Sequence, residues 1–252
     1  MTSVLTRRLL AEYLGSAFLA AVVIGSGIAA QQLSPDDTGQ QLLYNAAATA
    51  AGLFAIILMF GPVSGGHFNP VVSLVDAAFG GLSRRDAFAY IPVQIAGCAT
   101  GAVVANATFA LSAVSIATIH RASPAHVFAE VVATFGLLLL IFALVRSGRA
   151  ATAAAGVGAY IGAAYWFTSS TSFANPAISV GRIFSDTFAG IAPASVPAFV
   201  IAQLIGGLIA YAVLRTLYPD VGPATAAEVV VPHDTAATAA DHRAAVRHQP
   251  ER

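Results

Sequence analysis

The chain contains no lysine: all twelve of its basic side chains are arginine, and twelve acids balance them to a net charge of zero. Only 10% of the 252 residues are charged, whereas 57% are hydrophobic. A soluble domain carries about 25% charged residues. The shortage therefore excludes an ordinary water-soluble globule and indicates a polytopic membrane protein. Cysteine is also scarce. Cys98 stands alone in an apolar stretch, which excludes an internal disulfide and argues against a thiolate metal site. His233, His242 and His248 have no metal-ligand spacing, so no metal is expected. No nucleophile–base set and no cofactor loop appear, Gly25-Ser26-Gly27 lacking any phosphate-loop context. Neither an enzyme, a cofactor nor a nucleic-acid partner is expected.

What is present is long apolar segments, at roughly 9–30, 42–60, 87–113, 126–145, 151–167 and 195–217. The length accommodates about six spans of ~20 residues. Arg7 and Arg8 precede a run long enough to span, so it reads as a first helix and not as a cleaved signal. Two shorter apolar pieces, about 69–80 and 175–185, each open with Asn-Pro: Asn69-Pro70 and, 106 residues later, Asn175-Pro176. Proline in the first turn, after an asparagine able to cap it, is a helix-start signal. Both pieces are too short to cross a bilayer, so each is read as a half-helix dipping in from a loop. A polar motif at membrane depth is costly unless it lines something wet. Two such motifs in matching places indicate a pore.

The halves repeat. Ala11-Glu12 with Gly15-Ser16 in the first span answers Ala129-Glu130 with Thr134 in the fourth, and Gln94 in the third answers Gln203 in the sixth. Three spans per half turn the second copy upside down, giving an inverted repeat over about 8–113 and 126–217. The expected fold is an all-α membrane protein of six transmembrane helices and two re-entrant half-helices, forming a single channel domain over 1–217. Arg7, Arg8, Arg84, Arg85, Arg146, Arg149 and Arg215 fall at ends that an inside N-terminus places in the cytoplasm. Both termini are therefore expected inside, in a multi-pass protein of the cell's inner (plasma) membrane. Gly97 and Gly101 have the spacing that lets helix backbones approach closely. Residues 218–252 turn polar and are expected to form a disordered cytoplasmic tail.

The run Ser64-Gly65-Gly66-His67-Phe68-Asn69-Pro70-Val71-Val72-Ser73 and the triplet Asn175-Pro176-Ala177 resemble the two signature loops of the aquaporin, or major intrinsic protein, family. The resemblance extends over roughly 8–217 and includes Glu12, Glu130, Gln94 and Gln203. It implies a pore through each subunit of a homotetramer in the lipid bilayer, selecting by diameter, lining donors and positive helix ends. It also implies a scaffold role for Glu12 and Glu130, each accepting hydrogen bonds from a re-entrant loop. A proton-relay role is the alternative for a membrane carboxylate. His67 is expected to line the inner half of the pore.

Two departures from the family pattern stand out. Val71 replaces the usual alanine, adding methyl groups near the midplane. Ile178 stands where the family usually places a filter arginine. The nearest cation is Arg182, one turn further along, which either reaches back towards the vacated place or pairs with Asp186. Counted from the asparagines, the remaining filter positions fall at Thr49, Ala163 and Ser172. With no aromatic assigned to this ring, it should be wide and mildly amphipathic, suiting glycerol, urea or uncharged metalloid hydroxides such as arsenous acid. Residues Phe173 to Arg182, continuing through 185–190, also resemble a bacterial branch linked with metalloid passage. The leading expectation is a passive channel for water and small neutral solutes. One alternative is a water-selective channel closed down by Arg182 or by the neighbouring aromatics Phe173, Trp166 and Phe68. Another, of a different class, is a proton-coupled secondary transporter using Glu12 and Glu130.

Overall fold

The structure, a computed structural model, describes residues 3–219. The tail expected over 218–252 lies outside the described residues except for Tyr218 and Pro219.

Short polar residues set where the helices begin. Ser3 caps α1 (Val4–Leu33), Asp37 caps α2 (Thr38–Ser64) and Asn69 caps α3 (Pro70–Phe79). Ser83 caps α4 (Arg84–Thr108) and Ser123 caps α5 (Pro124–Arg146). In each, the side-chain oxygen accepts a backbone N–H of the first turn that has no intrahelical partner. A 3₁₀ turn, Ala150–Thr152, leads into α6 (Ala153–Phe167), and Asn175 caps α7 (Pro176–Gly181). A second 3₁₀ turn, Arg182–Phe184, follows α7, and a third, Pro193–Ser195, leads into α8 (Val196–Leu217). Among the described residues there are no strands, as expected for an all-α protein.

Five helices, α1, α2, α4, α5 and α8 with its leading turn, are long and apolar enough to cross a membrane. The remaining expected span, α6, fifth in chain order, has only 15 residues. At 1.5 Å per residue these rise about 22 Å, and the preceding 3₁₀ turn adds about 6 Å, close to the ~30 Å hydrocarbon core. The helix stops at Phe167 because the chain must turn there into the second re-entrant loop.

The two halves pack alike. α1 lies against α4 and α2, and α5 lies against α8 and α6. The half-helices join them: α3 touches α4 and α8, and so does α7. Gly97 and Gly101 make the α1–α4 contact possible, since a Cβ at either would overlap the backbone carbonyl of Tyr13 or Ala17. Gly206 does the same for α8 against Val131 of α5. Lipid tails supply no hydrophobic drive between helices, so such close approach is a principal source of their association.

Gly101→Val should therefore destabilise the bundle by about 1–3 kcal/mol, the usual cost of overpacking. A thermal melt in detergent followed by Trp166 fluorescence reads this as a lower midpoint. An unchanged midpoint would remove the α1–α4 contact from the account.

Candidate functional site

Residues 64–69 and 170–175 form two loops that mirror each other. Gly65, Gly66 and Phe68 take φ values of 92°, 67° and 48°, and Thr171, Ser172 and Ala174 take 62°, 50° and 47°. The second loop uses non-glycine residues in the left-handed region, at a cost of roughly 1–2 kcal/mol each. A surrounding structure must over-determine such a conformation for it to persist.

Two buried carboxylates hold these loops. Glu12 accepts from Ser64 Oγ at 2.6 Å, from the His67 and Phe68 amides at 3.0 and 2.7 Å, and from Gln94 Nε2 at 2.8 Å. Glu130 accepts from Ser170 Oγ at 2.6 Å, from the Phe173 and Ala174 amides at 2.9 and 2.8 Å, and from Gln203 Nε2 at 2.6 Å. An ionised carboxylate is acceptor-only with about four lone-pair sites, and here four donors meet each one. Gln94 and Gln203 then reach Ser73 and Ser179, both at 3.0 Å, and these hydroxyls donate to the Asn69 and Asn175 carbonyls.

The asparagines finish the arrangement. Asn69 Oδ1 accepts from the Val71 amide at 2.9 Å, and Asn175 Oδ1 from the Ala177 amide at 2.9 Å. Asn69 Nδ2 donates to the Ala174 carbonyl and Asn175 Nδ2 to the Phe68 carbonyl, both at 2.7 Å. Each amide carries two N–H groups, so each loop grips the other with one and keeps one for a solute. Both asparagines line one cavity. Its remaining wall is mostly aliphatic, from Leu19 and Val23 on α1, Leu53 and Ile57 on α2, Leu137 and Ile141 on α5 and Val157 and Ile161 on α6. A few donors facing an apolar wall can strip a small hydroxylated molecule of water and replace part of what it loses.

A family model described as major intrinsic protein matches residues 1–169. Aquaglyceroporin AqpS of Rhizobium meliloti (strain 1021) is 47% identical over 219 residues, covering 87% of this chain and 93% of that protein. The chain belongs to the major intrinsic protein family. Human aquaporin-9 is 31% identical over 168 residues, covering 58% of this chain and 56% of its own. The solved aquaglyceroporin from Plasmodium falciparum superposes with a TM-score of 0.66 at 18% identity, covering 85% of this chain and 98% of that one, which shows a shared fold. The protein is thus a membrane channel for water and small neutral solutes, and not an enzyme.

Within this aquaporin fold, Thr49, Ser172, Ile178, Arg182 and His67 all line the cavity. Ala163 does not, which corrects the expectation from counting. The face of α6 turned inward is Val157, Ile161 and Tyr165, spaced by four. Ala163 lies two residues from two of these, about 200° round the helix, and is exposed. Tyr165 takes the wall position, its hydroxyl 3.1 Å from Thr49 Oγ1. The period-four stripe is visible in the sequence, but its turning inward is set by the packing of α6 against α2. Trp166 is likewise 54% exposed and off the path, whereas Phe68 and Phe173 line it.

Arg182 does not pair with Asp186, which instead accepts from the Thr118 amide and hydroxyl at 2.9 and 3.0 Å. The Arg182 Nε donates to the Ala189 carbonyl, and the guanidinium lies 3.4 Å from the Phe173 ring centroid. Arg121, from the loop before α5, approaches the same ring at 5.6 Å while donating to the Gly190 and Phe188 carbonyls at 2.8 and 2.9 Å. Burial lowers the pKa of Arg121 from its ordinary value, but a guanidinium still remains a cation near neutrality. Val71 is buried and turned away from the cavity, against Gly207 of α8, where any Cβ would strike it. The added methyls of this residue therefore crowd α8 and not the path.

Glu130→Gln replaces an acceptor-only group by one that also brings donors to a ring of four donors. Each buried donor left unpaired costs about 1–3 kcal/mol. The expected result is a markedly lower melting midpoint together with loss of osmotic water flux. A variant melting like the parent would show that the loops do not depend on Glu130.

Proposed function

We propose that the cavity between the two Asn-Pro loops is the conduction path, and that its outer neck admits water together with glycerol, urea and uncharged metalloid hydroxides such as arsenous acid. The observation that carries this is the pair of asparagine amides: both line one cavity, and each has a single N–H committed to the opposite loop. A passing hydroxyl exchanges hydration for these donors and needs no chemical step. The outer neck is assigned to Thr49, Tyr165, Ser172, Phe173, Ile178 and Arg182. Arg182 takes the part of the arginine that Ile178 displaces, one turn beyond its usual place. The name aquaglyceroporin carried by the Rhizobium relative supports solutes larger than water.

A water-selective reading draws on Tyr165, Phe173 and Arg182, which restore two rings and a cation to a neck otherwise lined by small side chains. The transporter reading is weaker. Glu12 and Glu130 are fully buried, their acceptor sites are occupied, and neither lines the cavity. We further propose a single channel domain over 1–217, both termini in the cytoplasm from the arginine distribution, residence in the inner (plasma) membrane, and assembly as a homotetramer.

Stopped-flow light scattering on proteoliposomes should show rapid entry of glycerol, urea and arsenous acid alongside water. Water flux without solute flux would favour the water-selective reading, and flux that saturates and follows a pH gradient would favour the transporter. Ile178→Arg should reduce solute flux more than water flux. Equal loss of both, or no change in either, would place the filter elsewhere. Arg182→Ala should raise cation leak, read with a pH- or sodium-sensitive dye trapped inside the vesicles, while water flux persists; an unchanged leak would take the cation out of the filter.

A further inference from the structure

Two pairs of positions at which the inverted repeat departs from symmetry fall at the ends of the cavity. Asp76 stands seven residues after Asn69, and Arg182 stands seven residues after Asn175. Two residues before each asparagine are His67 and Phe173. At one end of the cavity, then, a guanidinium lies on an aromatic ring, and at the other a carboxylate lies beside an imidazole. The supporting rings match as well: Tyr90 meets His67 edge-on at 5.5 Å, and Phe199 meets Phe173 edge-on at 5.1 Å.

Nothing in the conduction path described above uses Asp76. Its side chain is 1% exposed, and neither carboxylate oxygen has a hydrogen-bond partner among the described residues. Oδ2 is 3.7 Å from His67 Nε2, which is ion-pair range but beyond a hydrogen bond. The other ring nitrogen, Nδ1, is 3.0 Å from Ser73 Oγ, whose hydroxyl reaches the Asn69 carbonyl at 3.2 Å. His67 lines the cavity and Asp76 stands behind it. The imidazole is therefore the link between a buried acid and the asparagine that faces the solute.

The other titratable groups nearby are engaged. Glu12 of α1 takes the His67 amide at 3.0 Å, and Arg8 of α1 faces Asp86 of α4 at 3.9 Å. Tyr90 of α4, within reach of the charges of Glu12, Arg8, Asp86 and Asp76, donates to the Ser64 carbonyl at 2.9 Å. Tyr211 of α8 lies at the far end of α3 against Phe79, where Arg146 of α5 also stacks.

We propose that His67 and Asp76 form a proton-controlled neck at the end of the pore on the face where α1 begins, with Asp76 as its positioning residue. Protonation makes both ring nitrogens donors. Nδ1–H then stays on Ser73, and Nε2–H turns to the Asp76 carboxylate. Closing the 3.7 Å gap draws the ring towards Asp76 and away from the lumen. Acid on this face therefore widens the neck, and alkali returns the neutral ring to the path. Histidine is the side chain suited to such a switch, because its charge changes between about pH 5 and 8.

The proposal rests on the pore reading, and the test separates the two. Glycerol flux is measured in membrane vesicles of known orientation, right-side-out and everted, with pH set independently on each face. Flux should rise several-fold as pH on the α1-start face falls from about 8 to about 6, and should ignore pH on the other face. Asp76→Asn should flatten the profile at its high-pH level, and His67→Gln should abolish the response to pH on that face. The sidedness in the unmodified protein carries the test if neither variant folds. Conduction with a flat profile on both faces, or a pH response unchanged in Asp76→Asn, overturns this proposal alone. Vesicles that conduct nothing at any pH overturn the pore reading and this proposal with it.

Discussion

Everything at the centre of this molecule depends on two carboxylates accepting backbone amides. The loops at 64–69 and 170–175 carry residues in left-handed backbone, pair with no regular structure, and lie inside a bundle of apolar helices. There each unpaired amide would cost several kcal/mol. Glu12 and Glu130 remove that cost while having their own charge dispersed over four donors apiece. Once the loops are held, Asn69 and Asn175 can turn their oxygens onto their own helices and one N–H across to the opposite loop. That division leaves the second N–H of each asparagine for the cavity that both residues line.

The repeat makes the centre symmetric, and its departures give the pore a direction. Arg182 and Phe173 mark one end, and Asp76 and His67 the other. A solute entering at the first meets a cation backed by a ring, and leaving at the second it passes an imidazole backed by an acid. On the proposed reading, selection and response to protons are separated in space, with the two asparagines between them. Val71 shows a departure of another kind, absorbed by packing: its methyl groups occupy the room that Gly207 leaves on α8.

Much of this was legible because the constraints are local. Proline after a capping asparagine starts a helix whatever surrounds it, and α3 and α7 begin at Pro70 and Pro176 accordingly. Apolar length marks a span, and five of the six expected spans have it outright. The neck was less legible. Counting from Asn175 selected Ala163, but the inward face of α6 is decided by how that helix rotates against α2, and it turned Tyr165 inward instead. Trp166 looked able to narrow the path and faces outward for the same reason. Arg182 had two partners within reach by spacing, Asp186 and the vacated filter. The chain's return through residues 185–190 brought a third, the Ala189 carbonyl.

From the order of its residues alone, this chain is committed to the membrane, to an inverted repeat of helices and half-helices, and to a pair of asparagines between two buried acids. Those features follow from composition, period and capping, which act over a few residues. Which side chains form each neck was decided only when the helices packed. Helix rotation and the closing of loops 43 or 105 residues distant in sequence, as in Glu130 to Phe173 and Asn69 to Ala174, are set by contacts that no local pattern encodes.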